Sequence, residues 1–145
     1  MPYHRMSADE VHAFLSAAPA RPAILATTRA DGRPHVAPIW YAVDDDGSIL
    51  FTTGADTVKG RNLRRALYAM VSVDDDAPPF SFVTLEGPVS ISDDVDEVRH
   101  WAGIIGGRYM GADRADEYGQ RNGVPGELFV RLTPAKTVSA SDVAD

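Results

Sequence analysis

Four cationic side chains crowd one short segment of a chain that is acidic as a whole. Lys59, Arg61, Arg64 and Arg65 are among 14 lysines and arginines, which stand against 21 carboxylates and leave a formal charge of -7. The segment follows an apolar run and a polar turn, a pattern that predicts a strand, a turn and then a helix. The first amides of a helix favour anions, and nearby cations add to that preference. The segment is therefore either a phosphate or carboxylate site or a solvated basic helix face.

Length and composition limit the kinds of protein this chain can be. Its 145 residues suit a single domain over 1–145, with an acidic tail at 140–145 that we expect to fray. It has no cysteine, which excludes disulfides, thiolate metal sites and a cysteine nucleophile, and its four histidines lack metal-ligand spacing. A pI near 4.9 argues against nucleic-acid binding. No apolar run is long enough for a membrane span and no signal-peptide core is found, so we expect a cytoplasmic protein.

The order of apolar runs and turn residues predicts a mainly β domain. A capping box, Ser7-Ala8-Asp9-Glu10, opens a short amphipathic helix. About six strands follow, mostly joined as hairpins, at 23–28, 34–43, 48–53, 68–73, 80–92 and roughly 127–137. Further helices are expected after residue 58, after residue 94 and at about 113–121. This chain is too β-rich and too short for a doubly wound dinucleotide fold, and a small antiparallel barrel with three to four short helices fits better.

Two features of the chain bear on a ligand site. Pro38 lies inside a predicted strand and cannot donate to a sheet ladder, so the strand either bulges there or runs at a sheet edge. Glycines 103, 106, 107 and 111 weaken the end of a predicted helix, which raises the question of whether 103–123 forms a lid. The sequence has no G-x-G-x-x-G, P-loop, G-x-S-x-G or H-E-x-x-H motif. An enzyme built on it would leave the chemistry to a cofactor.

Three blocks, taken in order, resemble the pyridoxamine 5'-phosphate oxidase-like superfamily of flavin- and deazaflavin-binding proteins. Within that superfamily the branch that uses coenzyme F420, a deazaflavin, is the most similar. The resemblance implies a split antiparallel β-barrel and a homodimer with cofactor sites at the subunit interface. The blocks read Ala26-Thr27-Thr28 with Asp31-Gly32-Arg33-Pro34-His35-Val36-Ala37-Pro38-Ile39-Trp40-Tyr41, then Leu50-Phe51-Thr52-Thr53, then Lys59-Gly60-Arg61-Asn62-Leu63-Arg64-Arg65.

The resemblance also implies where the anionic part of the cofactor lies. It places the phosphate on the basic helix, which agrees with the independent interpretation of that segment. Lys59 and Asn62 are expected to contact the phosphate or tail, with Arg61, Arg64 and Arg65 as further candidates. After Arg65 the family usually continues with Asp-Pro-Arg, whereas this chain has Ala-Leu-Tyr. The end of the helix is therefore left open.

The same resemblance implies which residues surround the ring. Thr52 and Thr53 are expected under the ring or the ribityl chain. The backbone around Pro38, Ile39 and Trp40 is expected to line the reacting edge. Trp40 also fits a core or dimer-interface aromatic.

The implied function is hydride transfer from the reduced deazaflavin to a small conjugated organic acceptor, such as an enone or a quinone. Either Tyr41 or solvent would supply a proton, and no metal is expected. Two alternatives stay open: an FMN-binding flavoprotein and a non-catalytic cofactor carrier. Several cations on one helix slightly favour the longer anionic tail of the deazaflavin over the single phosphate of FMN. The sequence does not identify the substrate.

Overall fold

Eight strands and four α-helices form within residues 4–145, the part of the chain that this computed structural model describes. The strands are β1 (Ala23–Thr28), β2 (Pro34–Ile39), β3 (Ala42–Val43), β4 (Ile49–Gly54), β5 (Tyr68–Asp75), β6 (Ser81–Ser92), β7 (Glu127–Leu132) and β8 (Lys136–Ala140). The helices are α1 (Ala8–Leu15), α2 (Val58–Ala66), α3 (Val95–Met110) and α4 (Ala115–Asn122), with a 3₁₀ turn at Ala112–Arg114. The predicted mainly β fold is confirmed, with more strands than the six expected.

The additional strands arise from breaks inside two longer predicted ones. The run 34–43 breaks at residues 40–41, so that β2 pairs with β1 whereas β3 pairs with β4. No glycine, proline, asparagine or aspartate marks residues 40–41, so turn chemistry could not reveal this break. The run 127–137 breaks around Pro134, and β8 then pairs with β6 instead of extending β7. Here the proline was a turn signal inside the predicted strand.

The longest strand, β6, is shared by the two halves of a curled sheet. Its residues 81–88 pair with β5, and its residues 89–92 pair with β7. The strand order is β2-β1-β5-β6-β7-β4-β3, with β8 also paired to β6, and every pair is antiparallel. A Cβ atom at Gly87 would lie 1.9 Å from the carbonyl oxygen of Thr133, so glycine allows the chain to cross β6 here. This half-barrel confirms the predicted split antiparallel β-barrel.

The inner face of the curl forms the main core. Leu25, Phe51, Val71 and Val130 are at most 1% exposed, and burial of each such side chain contributes about 1.5–3 kcal/mol. Helix α1 packs its Leu15 into this core. Its predicted capping box is confirmed, since the Ser7 side chain accepts from the Glu10 amide while the Glu10 carboxylate accepts from the Ser7 amide.

Helix α3 covers the outer face of the half-sheet formed by β3, β4 and β7. Together they bury a second cluster, which consists of Ala42, Leu50, Val98, Ile105 and Phe129. The glycines at 103, 106 and 107 do not end this helix, which continues to Met110. Glycine is needed there because α4 packs closely: a Cβ atom at Gly106 would lie 2.3 Å from Cβ of Tyr118. Within residues 103–122, α3 therefore packs on the sheet and α4 packs on α3.

The remaining boundaries complete the description. Helix α2 ends at Ala66 because Leu67 adopts a left-handed conformation with φ 53° and donates its amide to the Leu63 carbonyl. Val143 and Ala144 donate backbone hydrogen bonds to Phe80 and Pro79, and the expected fraying of 140–145 stays a prediction. None of the helices in the described part of the chain is long and apolar enough to cross a membrane.

Candidate functional site

A cavity of about 360 Å³ lies between the end of β2 and helix α3. Pro38, Ile39 and Trp40 form its strand side, joined by Thr52 from β4 and Lys59 from α2. These five residues were predicted to contact different parts of one cofactor. Strand β2 pairs only with β1 among the described strands, so Pro38 occupies an edge strand, one of its two predicted alternatives. The cavity volume lies near the lower end of the roughly 300–1,000 Å³ usual for ligand pockets.

The other side of the cavity was not predicted. It is formed by Ala102, Ile105 and Gly106 of α3 and by Asn122 at the end of α4, with Pro22 at the margin. Ala102 and Ile105 lie in the apolar stripe that the sequence shows on α3, but such a stripe normally indicates core packing. Asn122 follows no motif. Only the packing of the two helices brings it to the cavity.

The start of α2 is built directly on the end of β4. The Thr57 hydroxyl accepts from the Gly60 amide at 3.0 Å and donates to the Gly54 carbonyl at 2.7 Å, which caps the helix. A Cβ atom at Gly60 would lie 2.1 Å from the Gly54 carbonyl oxygen, so glycine permits this close start. The half-buried Lys59 lies in the first helical turn, where the helix dipole is positive. Strand β4 and helix α2 therefore bring a hydroxyl and a cation to the same cavity.

Asn62 and Arg65 make contacts within the chain instead. The buried Asn62 donates from Nδ2 to Thr27 Oγ1 at 3.1 Å and accepts at Oδ1 from Arg65 at 2.9 Å. Arg65 also donates to the Thr28 carbonyl at 3.2 Å. These contacts tie α2 to the end of β1, and neither residue lines the cavity. Their predicted cofactor contacts stay predictions.

The other predicted residues also lie outside the cavity lining. Arg61 donates to the Asp56 carbonyl, and the exposed Arg64 borders a separate surface hollow. Thr53 is buried, with its hydroxyl 3.3 Å from that of Thr57. Among the four cations of the basic segment, Lys59 is the one in contact with the cavity.

A carboxylate lies near the same helix start. Glu127 is the residue of β7 that pairs with Gly54 at the end of β4. Burial raises the pKa of its carboxyl group, and the positive charge of Lys59 partly opposes that rise. An anion held by Lys59 would therefore also experience the charge of Glu127.

Trp40 forms an aromatic wall of the cavity and does not belong to the core. It is 41% exposed and stacks on Tyr109, with ring centroids 5.0 Å apart and planes 4° apart. The Tyr109 hydroxyl donates to the Arg21 carbonyl at 2.7 Å, and burial raises the pKa of Tyr109 to about 12. Tyr118 lies 6.0 Å from Trp40 in a tilted arrangement. The indole is thus held by rings that are themselves fixed.

Tyr41 points to the opposite side of the chain from Trp40. It is fully buried, and its hydroxyl donates to the Leu15 carbonyl at 2.8 Å. Burial raises the pKa of Tyr41, although Arg108, whose guanidinium lies 4.6 Å from the ring centroid, opposes this. Arg108 also donates to the Tyr41 and Leu15 carbonyls, each at 2.6 Å. The proton-donor role of Tyr41 stays a prediction, and the structure places its hydroxyl away from the cavity lining.

A larger hollow of about 790 Å³ lies beside α1 and the turn between β3 and β4. Its lining combines core side chains with polar and charged ones, including Arg5, His12 and Asp45. None of the predicted site residues borders it. Within residues 4–145 no cluster of histidines and carboxylates is arranged to hold a metal ion.

A curled antiparallel half-barrel with a cavity at its edge strand, beside a basic helix, defines the class of split β-barrel proteins. The sequence matches the pyridoxamine 5'-phosphate oxidase family over residues 7–139, and the chain belongs to this family. None of the curated proteins matches the sequence.

Solved structures agree with this assignment. The chain is similar to a conserved hypothetical protein from Mycobacterium tuberculosis, with 28% identity and a TM-score of 0.80 over 94% of this chain and 86% of that one. It is similar to an F420 reductase, with 26% identity and a TM-score of 0.64 over 84% and 90% of the two chains. An FAD-binding protein from Mycobacterium smegmatis shares the fold, with 22% identity and a TM-score of 0.59 over 94% and 97%.

Proposed function

We propose that this protein binds coenzyme F420 in the cavity between β2 and α3 and reduces a small conjugated organic acceptor. One observation carries the proposal: Lys59, Thr52 and Trp40 line a single cavity. The resemblance implies that Lys59 contacts the phosphate or tail, that Thr52 lies under the ring or the ribityl chain, and that Trp40 lies beside the ring. A cation, a hydroxyl and an apolar wall are the groups that such a cofactor requires. The 26% identity to an F420 reductase supports the deazaflavin.

Five residues of the cavity contribute to this mechanism. The bound deazaflavin supplies the hydride. Lys59, in the first turn of α2, would hold the phosphate, and Thr52 would donate a hydrogen bond to the ribityl chain. Pro38, Ile39 and Trp40 exclude water from one face of the ring and fix its orientation. Solvent supplies the proton to the reduced acceptor, because the Tyr41 hydroxyl already donates to Leu15.

We also propose that the protein is a homodimer with the cavity at the subunit interface. Ile24, Val36 and Met70 project from the outer faces of β1, β2 and β5 and are 44%, 62% and 37% exposed. The register places them side by side, since Ala26 pairs with both Val36 and Met70 and Ile24 pairs with Pro38. Contiguous apolar surface of this kind favours association. A partner on this face would border Pro38 and close the cavity.

The structure also offers one argument for FMN. Of the four cations on the basic segment, Lys59 alone lines the cavity described here, and a single cation matches a single phosphate. An FMN-binding flavoprotein is therefore the second candidate. A non-catalytic carrier of either cofactor is the third.

A turnover assay separates these candidates. The purified protein is mixed with reduced deazaflavin and a quinone such as menadione, and oxidation of the deazaflavin is followed by its absorbance. The proposal predicts oxidation that depends on the protein and saturates with the quinone. Tight binding of the deazaflavin without oxidation by a panel of quinones and enones would favour the carrier. Protein-dependent reduction of the quinone by reduced FMN, but not by the reduced deazaflavin, would favour the flavoprotein.

A further inference from the structure

Asn122 presents an uncommitted carboxamide to the cavity. Its half-buried side chain lines the cavity, and within residues 4–145 no side-chain hydrogen bond to it is found. Asn62 shows the contrast, because both its Nδ2 and its Oδ1 have partners in the chain. A carboxamide offers two donor hydrogens and one acceptor oxygen. At Asn122 these groups are available to a ligand.

The backbone that carries Asn122 is firmly fixed. The next residue, Gly123, donates its amide to the Gly119 carbonyl at 2.8 Å and accepts from Arg99 of α3 at 3.2 Å. A Cβ atom at Gly123 would lie 2.5 Å from Cβ of Arg99, so the end of α4 touches α3 closely. The Asn122 side chain has no part in holding this junction. Its amide is therefore positioned by rigid elements while its hydrogen bonds stay unused.

The lining of the cavity combines apolar and polar side chains. The fixed indole of Trp40, together with Ala102 and Ile105, suits a planar conjugated ring. Asn122, Thr52 and Lys59 are the polar side chains of the lining. A ring that carries a carbonyl group would accept a hydrogen bond from Asn122, whereas a plain hydrocarbon ring would leave the amide desolvated and unpaired.

We infer that Asn122 is a specificity-determining residue, whose carboxamide hydrogen-bonds a carbonyl group on the edge of a planar conjugated ligand in this cavity. The inference rests on the proposed function for the identity of that ligand. Two ligands share this chemistry, namely the ring of the cofactor and a quinone or enone acceptor. The experiment distinguishes the cofactor ring from the acceptor.

The experiment uses Trp40 as its reporter. The chain has two tryptophans, so Trp101→Phe leaves Trp40 as the single tryptophan, which is excited selectively over the tyrosines. Quenching is titrated with the deazaflavin, FMN, menadione and 2-methylnaphthalene, the last of which keeps the rings of menadione without its carbonyls. Asn122→Leu removes the amide at similar volume. Gln120→Leu is the matched control, because this exposed amide lies on the same helix and outside the cavity lining. Equilibrium dialysis with Trp101 retained gives the same comparison if Trp101→Phe does not fold.

The expected result is an approximately tenfold rise in Kd for at least one carbonyl-bearing probe in Asn122→Leu, with Gln120→Leu unchanged within about twofold. Binding of 2-methylnaphthalene should not weaken. An effect on the deazaflavin or FMN assigns the amide to the cofactor ring, and an effect on menadione alone assigns it to the acceptor. Equal affinities in wild type and Asn122→Leu, or an equal loss for 2-methylnaphthalene, would overturn the inference.

The same titrations separate this inference from the proposed function. If Asn122→Leu binds the cofactor and menadione with wild-type affinity, the inference is overturned but the proposed function is not. Asn122-dependent binding of menadione without binding of either cofactor supports the inference and removes the proposed function. Absence of binding by all probes overturns both.

Discussion

The two halves of the curled sheet have outer faces of similar apolar character but of opposite exposure. On the β3–β4–β7 half, Leu50 and Phe129 lie beneath α3 and are at most 4% exposed. On the β1–β2–β5 half, Ile24 and Val36 are 44% and 62% exposed and belong to neither buried cluster. In the proposed homodimer, the covered face is completed within one chain and the exposed face is completed by the partner subunit. The cavity lies at the boundary, since β4 and α3 contribute to it from one half and β2 from the other.

The largest expected effect comes from truncating the covered face. Leu50→Ala should lower the free energy of unfolding by about 2–5 kcal/mol, because it removes a fully buried side chain and leaves a cavity under α3. Ile24→Ala should cost less than about 1 kcal/mol in protein dilute enough to be monomeric. Denaturant unfolding of both variants checks this. Equal losses at high dilution would contradict the distinction between the faces.

A charge on the bare face should break the proposed dimer. Val36→Asp would place an unpaired carboxylate in an apolar interface, and we expect the dimer Kd to rise about 100-fold or more. Analytical ultracentrifugation over a concentration series measures this. Ile104→Asp is the control, because Ile104 is 42% exposed on α3 of the covered half. A monomeric wild-type protein, or equal weakening by both variants, would remove this face as the interface.

Tyr41→Phe tests whether the buried residue beside the cavity wall is structural. It removes the hydrogen bond to Leu15 and should lower the free energy of unfolding by about 1 kcal/mol, since Arg108 still donates to the same carbonyl. Turnover with a quinone acceptor should stay within about twofold of wild type if solvent is the proton source. Loss of turnover with unchanged quinone binding would instead restore Tyr41 as the proton donor.

Alkaline pH should give a smaller effect at the aromatic wall. Burial raises the pKa of Tyr109 from its ordinary value of 10 to about 12, so the folded protein holds this proton more tightly than the unfolded chain. The contribution of this tighter proton binding to the free energy of unfolding is complete below pH 10 and is lost as the pH rises from 10 to 12. In Tyr109→Phe, the free energy of unfolding should decline less steeply over this pH range than it does in the wild-type protein. An identical decline in both proteins would contradict the assignment.

Local residue chemistry made much of this predictable. Hydrophobic alternation and turn residues predicted the strands, and the capping box predicted the start of α1. Lys59 belongs to the basic segment that the sequence singles out, whereas Thr52 was expected from the family resemblance, and both line the cavity. Such features are specified by residues close together in the sequence.

The parts that escaped prediction depend on packing between distant segments. Asn122 reaches the cavity only because glycines allow α4 to approach α3. The same glycines suggested a weak helix end, since an isolated helix is destabilised by glycine while a close helix pair requires it. The cofactor contact of Asn62, which the family resemblance implies, stays a prediction, but the hydrogen bond of its amide to Thr27, 35 residues earlier in the chain, was not foreseen.

The central claim is that the cavity between β2 and α3 holds the cofactor. A parallel binding titration of the deazaflavin and FMN against wild type, Lys59→Ala and Arg64→Ala tests it most directly. We expect the wild-type protein to bind the deazaflavin more tightly than FMN. We expect Lys59→Ala to lower the affinity for the deazaflavin by about 10- to 100-fold. Arg64→Ala, which removes a cation outside the cavity, should cost about fivefold or less. Wild-type affinity in Lys59→Ala, or binding of neither cofactor, would contradict the account.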